Sequence, residues 1–180
     1  MKKGLLSSVL SLILSFLFFI PPAEAAVQVS YSLHDLGSGR WKATYKIDNL
    51  DELLGIEWFT IYYDYGLYDS LQIETTSPLS NQWDQYVCDP QLIDPLLIRG
   101  LYDIQALSEG ILPGQSLAGF SMSFGWLGEG MPVADQYFEI YDDQVNLLRI
   151  GYATYIPEPG TLLLFAVGTF LISQRKSQRH

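Results

Sequence analysis

Runs of alternating apolar and polar residues dominate the middle of the chain. Trp41, Ala43, Tyr45 and Ile47 interleave with Arg40, Lys42, Thr44, Lys46 and Asp48, a period of two that predicts a strand with one buried and one wetted face. Phe59, Ile61, Tyr63 and Tyr65 repeat the pattern, as do Phe120, Met122, Phe124 and Trp126 between small residues. Phe138 and Ile140 continue it, followed by Leu148, Ile150 and Tyr152, and Val27, Val29 and Tyr31 open the series. Leu71 to Thr75 and Trp83 to Val87 are weaker strands. Gly37-Ser38-Gly39, Asp48-Asn49, Pro113-Gly114, Gly128-Glu129-Gly130 and Asp142-Asp143 punctuate the runs as turns. Seven to nine short strands so spaced predict an all-β, antiparallel β-sandwich, with a barrel as the alternative. Between Pro90 and Leu107 the apolar residues are broken by Pro95, which predicts a loop with at most a turn of helix.

The two ends follow a different pattern. Lys2 and Lys3 precede an apolar run from Leu5 to Ile20, which Pro21 and Pro22 stop ahead of Ala23-Glu24-Ala25. A positive start, an apolar run, a helix breaker and A-x-A predict a signal peptide over residues 1–25, with Ala23 and Ala25 as the small residues that signal peptidase needs. An uncleaved N-terminal anchor is the alternative. At the other end an apolar stretch (Leu162, Leu163, Leu164, Phe165, Val167, Phe170, Leu171 and Ile172) precedes Arg175, Lys176 and Arg179. As a helix, Gly160 to Ser173 would reach about 21 Å, short of a roughly 30 Å hydrocarbon layer. Bilayer thinning and snorkelling cations would close that gap. The eight large apolar residues favour insertion by about −2 to −5 kcal/mol together, enough for a transient membrane helix. By the positive-inside rule, the basic residues stay in the cytoplasm and the middle of the chain lies outside.

Pro157-Glu158-Pro159-Gly160-Thr161, the apolar run that follows and the basic stop together resemble the PEP-CTERM sorting signal of Gram-negative bacteria. The resemblance covers about the last 25 residues and divides the chain into residues 1–25, an exported domain over 26–156 and a sorting signal over 157–180. It implies recognition by an exosortase, a membrane-embedded transpeptidase, with the Pro-Glu-Pro as the processing region. It further implies transient anchoring in the inner membrane, then release to the cell surface or extracellular matrix, in company with exopolysaccharide or biofilm. The prolines suit that role, because each fixes its own φ and restricts the preceding residue, holding the peptide extended.

Charge narrows the partners. Of twenty acids and ten cations in the chain, Glu24, Glu158, two lysines at the start and three tail cations lie outside the exported domain, which is therefore near −13. Such a charge argues against nucleic acid or anionic lipid and leaves cations as company. Cys88 is the one cysteine, so no intrachain disulfide forms; it is read as a small apolar core residue, with pairing between chains as the alternative. Ile111 to Ser116, with the strand through Phe120 to Trp126, resembles β-sandwich domains that precede such tails and, more loosely, cohesin-like and carbohydrate-binding (Ig-like) modules.

Catalytic chemistry has little support in the sequence. His34 and His180 are the only histidines, no Cys/His cluster exists, and no nucleophile elbow, P-loop or dinucleotide fingerprint occurs. His34-Asp35 lacks any triad motif, and Asp64, Asp69, Glu129 and Asp135 are read as solvated acids rather than a glycosidase pair. The chain is thus expected to be no enzyme and to carry no cofactor. Calcium is the one small ligand considered, at the oxygen-rich turns holding Asp48, Asp51, Asp142 and Asp143, although neither turn matches an EF-hand loop. Four tryptophans and twelve tyrosines remain. If Phe59, Ile61 and Tyr63 face inward, Trp58 and Tyr62 face outward, and with Trp83 they are candidate contacts for a sugar surface. The sequence therefore predicts a noncatalytic surface or matrix protein, with a carbohydrate-binding module as the alternative and a carboxylate hydrolase third.

Overall fold

The computed structural model of the chain describes residues 27–50 and 53–157. The signal peptide with Ala23 and Ala25, Asp51, and everything from Glu158 through the apolar and basic tail lie outside these residues. Among the described residues eleven strands form: β1 (Val27–Gly37), β2 (Arg40–Asn49), β3 (Trp58–Tyr63), β4 (Tyr68–Ile73), β5 (Trp83–Cys88), β6 (Gln91–Ile93), β7 (Leu96–Ile98), β8 (Gly100–Ala106), β9 (Ser116–Trp126), β10 (Gln136–Tyr141) and β11 (Leu147–Tyr155). One helical turn, α1 (Leu79–Gln82), leads into β5.

Nine strands hydrogen-bond in the order β4-β9-β2-β1-β11-β10-β3-β8-β5, while β6 and β7 pair only with each other. The link between β1 and β11 spans just two residue pairs, Ser30 with Thr154 and Tyr31 with Tyr155, and it is parallel. At this seam the sheet doubles back, giving a four-stranded layer facing a five-stranded one. Phe59 of β3 meets Phe120 of β9 edge-on across the layers, with ring centroids 5.1 Å apart. The fold is thus all-β and sandwich-like. Its pairs are antiparallel except at the seam, where the wholly antiparallel expectation is corrected.

The alternation read from β1, β2, β3 and β9 settles the core. Val29, Tyr31, Ala43, Tyr45, Ile47, Phe59, Ile61, Tyr63, Phe120, Met122 and Phe124 are all buried. Tyrosine hydroxyls inside this core need partners, since an unpaired buried polar group is costly. Tyr45 donates to Gln136 Oε1 at 2.8 Å and also meets Tyr63 Oη at 2.5 Å. A hydroxyl donates one proton, so Tyr63 is the donor to Tyr45. Burial drives both phenols well above their ordinary pKa, so they remain neutral donors.

Three expectations fail for local reasons. Residues 90–107 are not a loop: β8 runs through the middle of the five-stranded layer, with Tyr102 and Ile104 buried, and β6 and β7 form a hairpin beyond it. Ile150 and Tyr152 point outward, not inward, because Gly151 and Ala153 take the inner positions of β11. A Cβ at Gly151 would lie 2.8 Å from Phe138 Cζ, so the Phe138 ring already fills that space. Tyr65 lies past the end of β3 and is exposed.

Candidate functional site

The outer face of the five-stranded layer is built by the strand positions the core leaves over. Register sets its rows. Tyr137 of β10 pairs with Tyr152 of β11, and Glu139 lies between Ile150 and Thr60. Tyr141 pairs with Trp58, and Asp103 of β8 lies between Thr60 and Tyr86 of β5. Trp58 and Tyr62 therefore share an exposed-side face, as strand parity predicts, and four more tyrosines join them.

Two carboxylates organise this face. Glu139 accepts three phenol hydroxyls: Tyr62 at 2.7 Å and Tyr141 at 2.5 Å on Oε2, and Tyr137 at 3.1 Å on Oε1. Asp103 Oδ1 accepts from Trp58 Nε1 at 2.6 Å and Thr60 Oγ1 at 2.5 Å. Partial burial acts to raise the Glu139 carboxyl, but the hydroxyls of Tyr141, Tyr62 and Tyr137 outweigh it and hold it below the usual range. Burial and the same carboxylate push the Tyr141 phenol up to about 12. Trp58, Tyr62, Tyr137 and Tyr141 are thus each held at the ring edge by a hydrogen bond to a carboxylate.

The rings form two contiguous groups. Trp58 and Tyr141 lie 4.9 Å apart between centroids at 33°. Tyr62 and Tyr137 lie 5.5 Å apart, and Tyr137 and Tyr152 5.8 Å apart. The Arg99 guanidinium carbon sits 5.6 Å from the Tyr137 centroid, and Arg99 also pairs with Asp64 at 2.9 Å. Tyr152 and Tyr86 are more than 60% exposed at the two margins. Beside Tyr152 and Ile150, the seam between β1 and β11 opens into a groove of about 510 Å³, with Phe138 in its lining and Lys46 and Arg149 at its rim.

Trp83 does not belong to this surface. It is 3% exposed and packs edge-on against Phe59 and Phe120, so its expected sugar contact is corrected to a core role. Cys88 is half-buried and free at the end of β5, on the outer side, rather than a core residue.

Asp48 and Asp142, one in each oxygen-rich turn, have partners of their own. Asp48 pairs with Lys46 at 2.6 Å and accepts from the Ser116 hydroxyl. Asp142 Oδ1 accepts the amides of Gln144 and Asn146, a turn closed by its own side chain. Among the described residues no three His, Cys, Asp or Glu side chains cluster as metal ligands.

Sequence reasoning missed Tyr137, Glu139, Tyr141 and Asp103. The signal was present in Tyr137-Phe138-Glu139-Ile140-Tyr141, where aromatic residues occupy both parities of one strand. Such a strand has two apolar faces, and a single core covers only one.

Among the described residues no helix is long and apolar enough to cross a membrane. No protein-family model matches the chain, and no curated protein is similar to it. Several solved structures are similar in part. One is a Nocardia farcinica protein with an immunoglobulin-like fold, at 15% identity over 67% of this chain and 81% of that one, TM-score 0.49. Another is the carbohydrate-binding module CBM3b of the cellulosomal cellobiohydrolase 9A from Clostridium thermocellum, at 12% identity over 71% and 97%, TM-score 0.47. A third is a cohesin module of a Clostridium perfringens family 33 glycoside hydrolase, at 9% identity over 74% and 98%, TM-score 0.43.

Proposed function

We propose that this chain is an exported, noncatalytic surface or matrix protein that holds a neutral polysaccharide on the outer face of its five-stranded layer. One observation carries the reading: Trp58, Tyr62, Tyr137, Tyr141 and Tyr152 share that face, and three of the tyrosines are clamped on Glu139. The apolar C–H faces of pyranose rings stack on aromatic rings, while the phenol oxygens, their protons given to Glu139, keep lone pairs that accept from sugar hydroxyls. Clamping lowers the ordering cost on binding, since the rings are already in place. Glu139 and Asp103 at the centre repel uronic or sulfated chains, which selects for uncharged ones. Catalysis fits this face poorly, because both carboxylates are already engaged, Glu139 by three phenols and Asp103 by Trp58 and Thr60.

Delivery rests on the sequence of the ends. Signal peptidase acts at Ala23–Ala25, the segment 161–172 anchors the chain in the inner membrane, and an exosortase processes the Pro157-Glu158-Pro159 region before release. The exopolysaccharide outside the cell is then the natural ligand. Binding of the protein to a panel of neutral polysaccharides, compared with the Trp58→Ala and Tyr137→Ala variants, tests the reading. At least one polysaccharide binds, and each substitution weakens it about tenfold or more, ~1.4 kcal/mol or above. Equal binding by correctly folded variants, or no binding by the wild type, would overturn it.

A further inference from the structure

The β5–β8 ribbon does not stop at the edge of the sandwich. Cys88 pairs with Leu101, and beyond the Asp89-Pro90 and Arg99-Gly100 junction the pairing resumes as Gln91 with Ile98, Leu92 with Leu97 and Ile93 with Leu96. The result is an arm about 13 Å long, at ~3.3 Å per residue over four residues. Leu92, Ile93, Leu96, Leu97 and Ile98 are between 41% and 66% exposed. Paired residues share a face and neighbours alternate, so Leu92 and Leu97 point one way and Ile93, Leu96 and Ile98 the other. The arm is apolar on both sides. A folded partner seated on one side would leave the other wet, whereas a bilayer boundary covers both.

The course of the chain indicates which apolar medium lies there. Ala153 pairs with Gln136, the residue two before Phe138, which pairs with Ile61. The same row continues through Tyr63 to Gly100, where the arm begins. Past Ala153, β11 runs on to Tyr155 toward that same end, and Ile156 donates its amide to Tyr31 O. The exit of the chain and the root of the arm are thus at one end of the layer, three strand spacings or roughly 14 Å apart before twist. From Pro157 to Leu162 is five residues, so the apolar segment starts within about 18 Å of Pro157.

We infer that the β6–β7 arm is a membrane-contact element: while the C-terminal segment is anchored, the arm lies in the headgroup boundary of that bilayer and fixes the domain's orientation to it. The inference rests on the reading of residues 161–172 as membrane-inserted. Asp94 at the arm's turn keeps the tip at headgroup depth, since a carboxylate deeper in the hydrocarbon is costly. Arg99 at the root is engaged by Asp64, and the domain is strongly acidic. Contact is therefore apolar rather than electrostatic, and it neither needs anionic lipid nor weakens with salt.

The test uses the full chain, with Cys88→Ser, reconstituted in phosphatidylcholine vesicles. A polarity-sensitive fluorophore is attached through Leu97→Cys, through Gln105→Cys at the opposite end of β8, or through Val167→Cys in the tail. The fluorophore at Leu97→Cys is expected to be quenched by a spin-labelled lipid and shielded from aqueous iodide, equally at low and high salt. The one at Gln105→Cys should show the reverse. Iodide access at the Leu97→Cys site would overturn the inference. So would shielding without lipid quenching, which would mean that a second copy or the tail itself covers the arm. The Val167→Cys label reads the tail separately: if it escapes lipid quenching, the anchoring reading fails, whatever the arm does.

Discussion

At Glu139 two opposed effects meet in one side chain. Partial burial disfavours its charge, while the Tyr141, Tyr62 and Tyr137 hydroxyls favour it, and the hydroxyls win. A carboxyl whose folded pKa is depressed stabilises the fold above its unfolded value, and that stabilisation disappears as pH falls through the folded value. Glu139→Gln should therefore lower the melting temperature at neutral pH, and the gap from wild type should close below about pH 4, near the ordinary carboxyl range. Thermal melts of both proteins across pH check this; a gap independent of pH would mean that packing, not charge, holds the clamp. Trp58 and Tyr62 were legible in the sequence because parity alone sends them outward once Phe59 and Ile61 face in. Glu139 was not, because nothing in a linear pattern shows that three hydroxyls from two strands converge on one carboxylate.

Among the elements, alternation identified β1, β2, β3, β9 and β10, each of which buries a row of large residues. It misplaced β11, where Phe138 from the neighbouring strand occupies the inner space and the large residues turn out. It missed β8, although Tyr102, Ile104 and Ala106 alternate correctly, because Pro95 and the run of leucines before it masked the strand. The arm explains that masking: the two segments together are one long ribbon with an apolar tip. Trp83 shows the same limit of local pattern, since a tryptophan on an edge strand reads equally well as surface or core. It pins β5 to Phe59 and Phe120, so Trp83→Ala should cost about 3–5 kcal/mol of stability. Denaturant unfolding measures this, and a cost under ~1 kcal/mol would place the ring outside the core.

For the molecule as a whole, the two layers divide the aromatic residues between a buried tyrosine network and a surface array. The first makes the fold; the second is available to a ligand. Under the proposed reading, the signal-like start and the Pro-Glu-Pro tail would put that array outside the cell, and the arm would orient the chain while it is anchored. The four tryptophans provide a direct readout of the proposed glycan face, since Trp58 alone donates its indole N–H to Asp103. Tryptophan-labelled protein titrated with a soluble neutral oligosaccharide should show the Trp58 indole resonance moving in proportion to binding while that of Trp83 stays fixed. A bound oligosaccharide that leaves the Trp58 indole unmoved would contradict a glycan seat on this face.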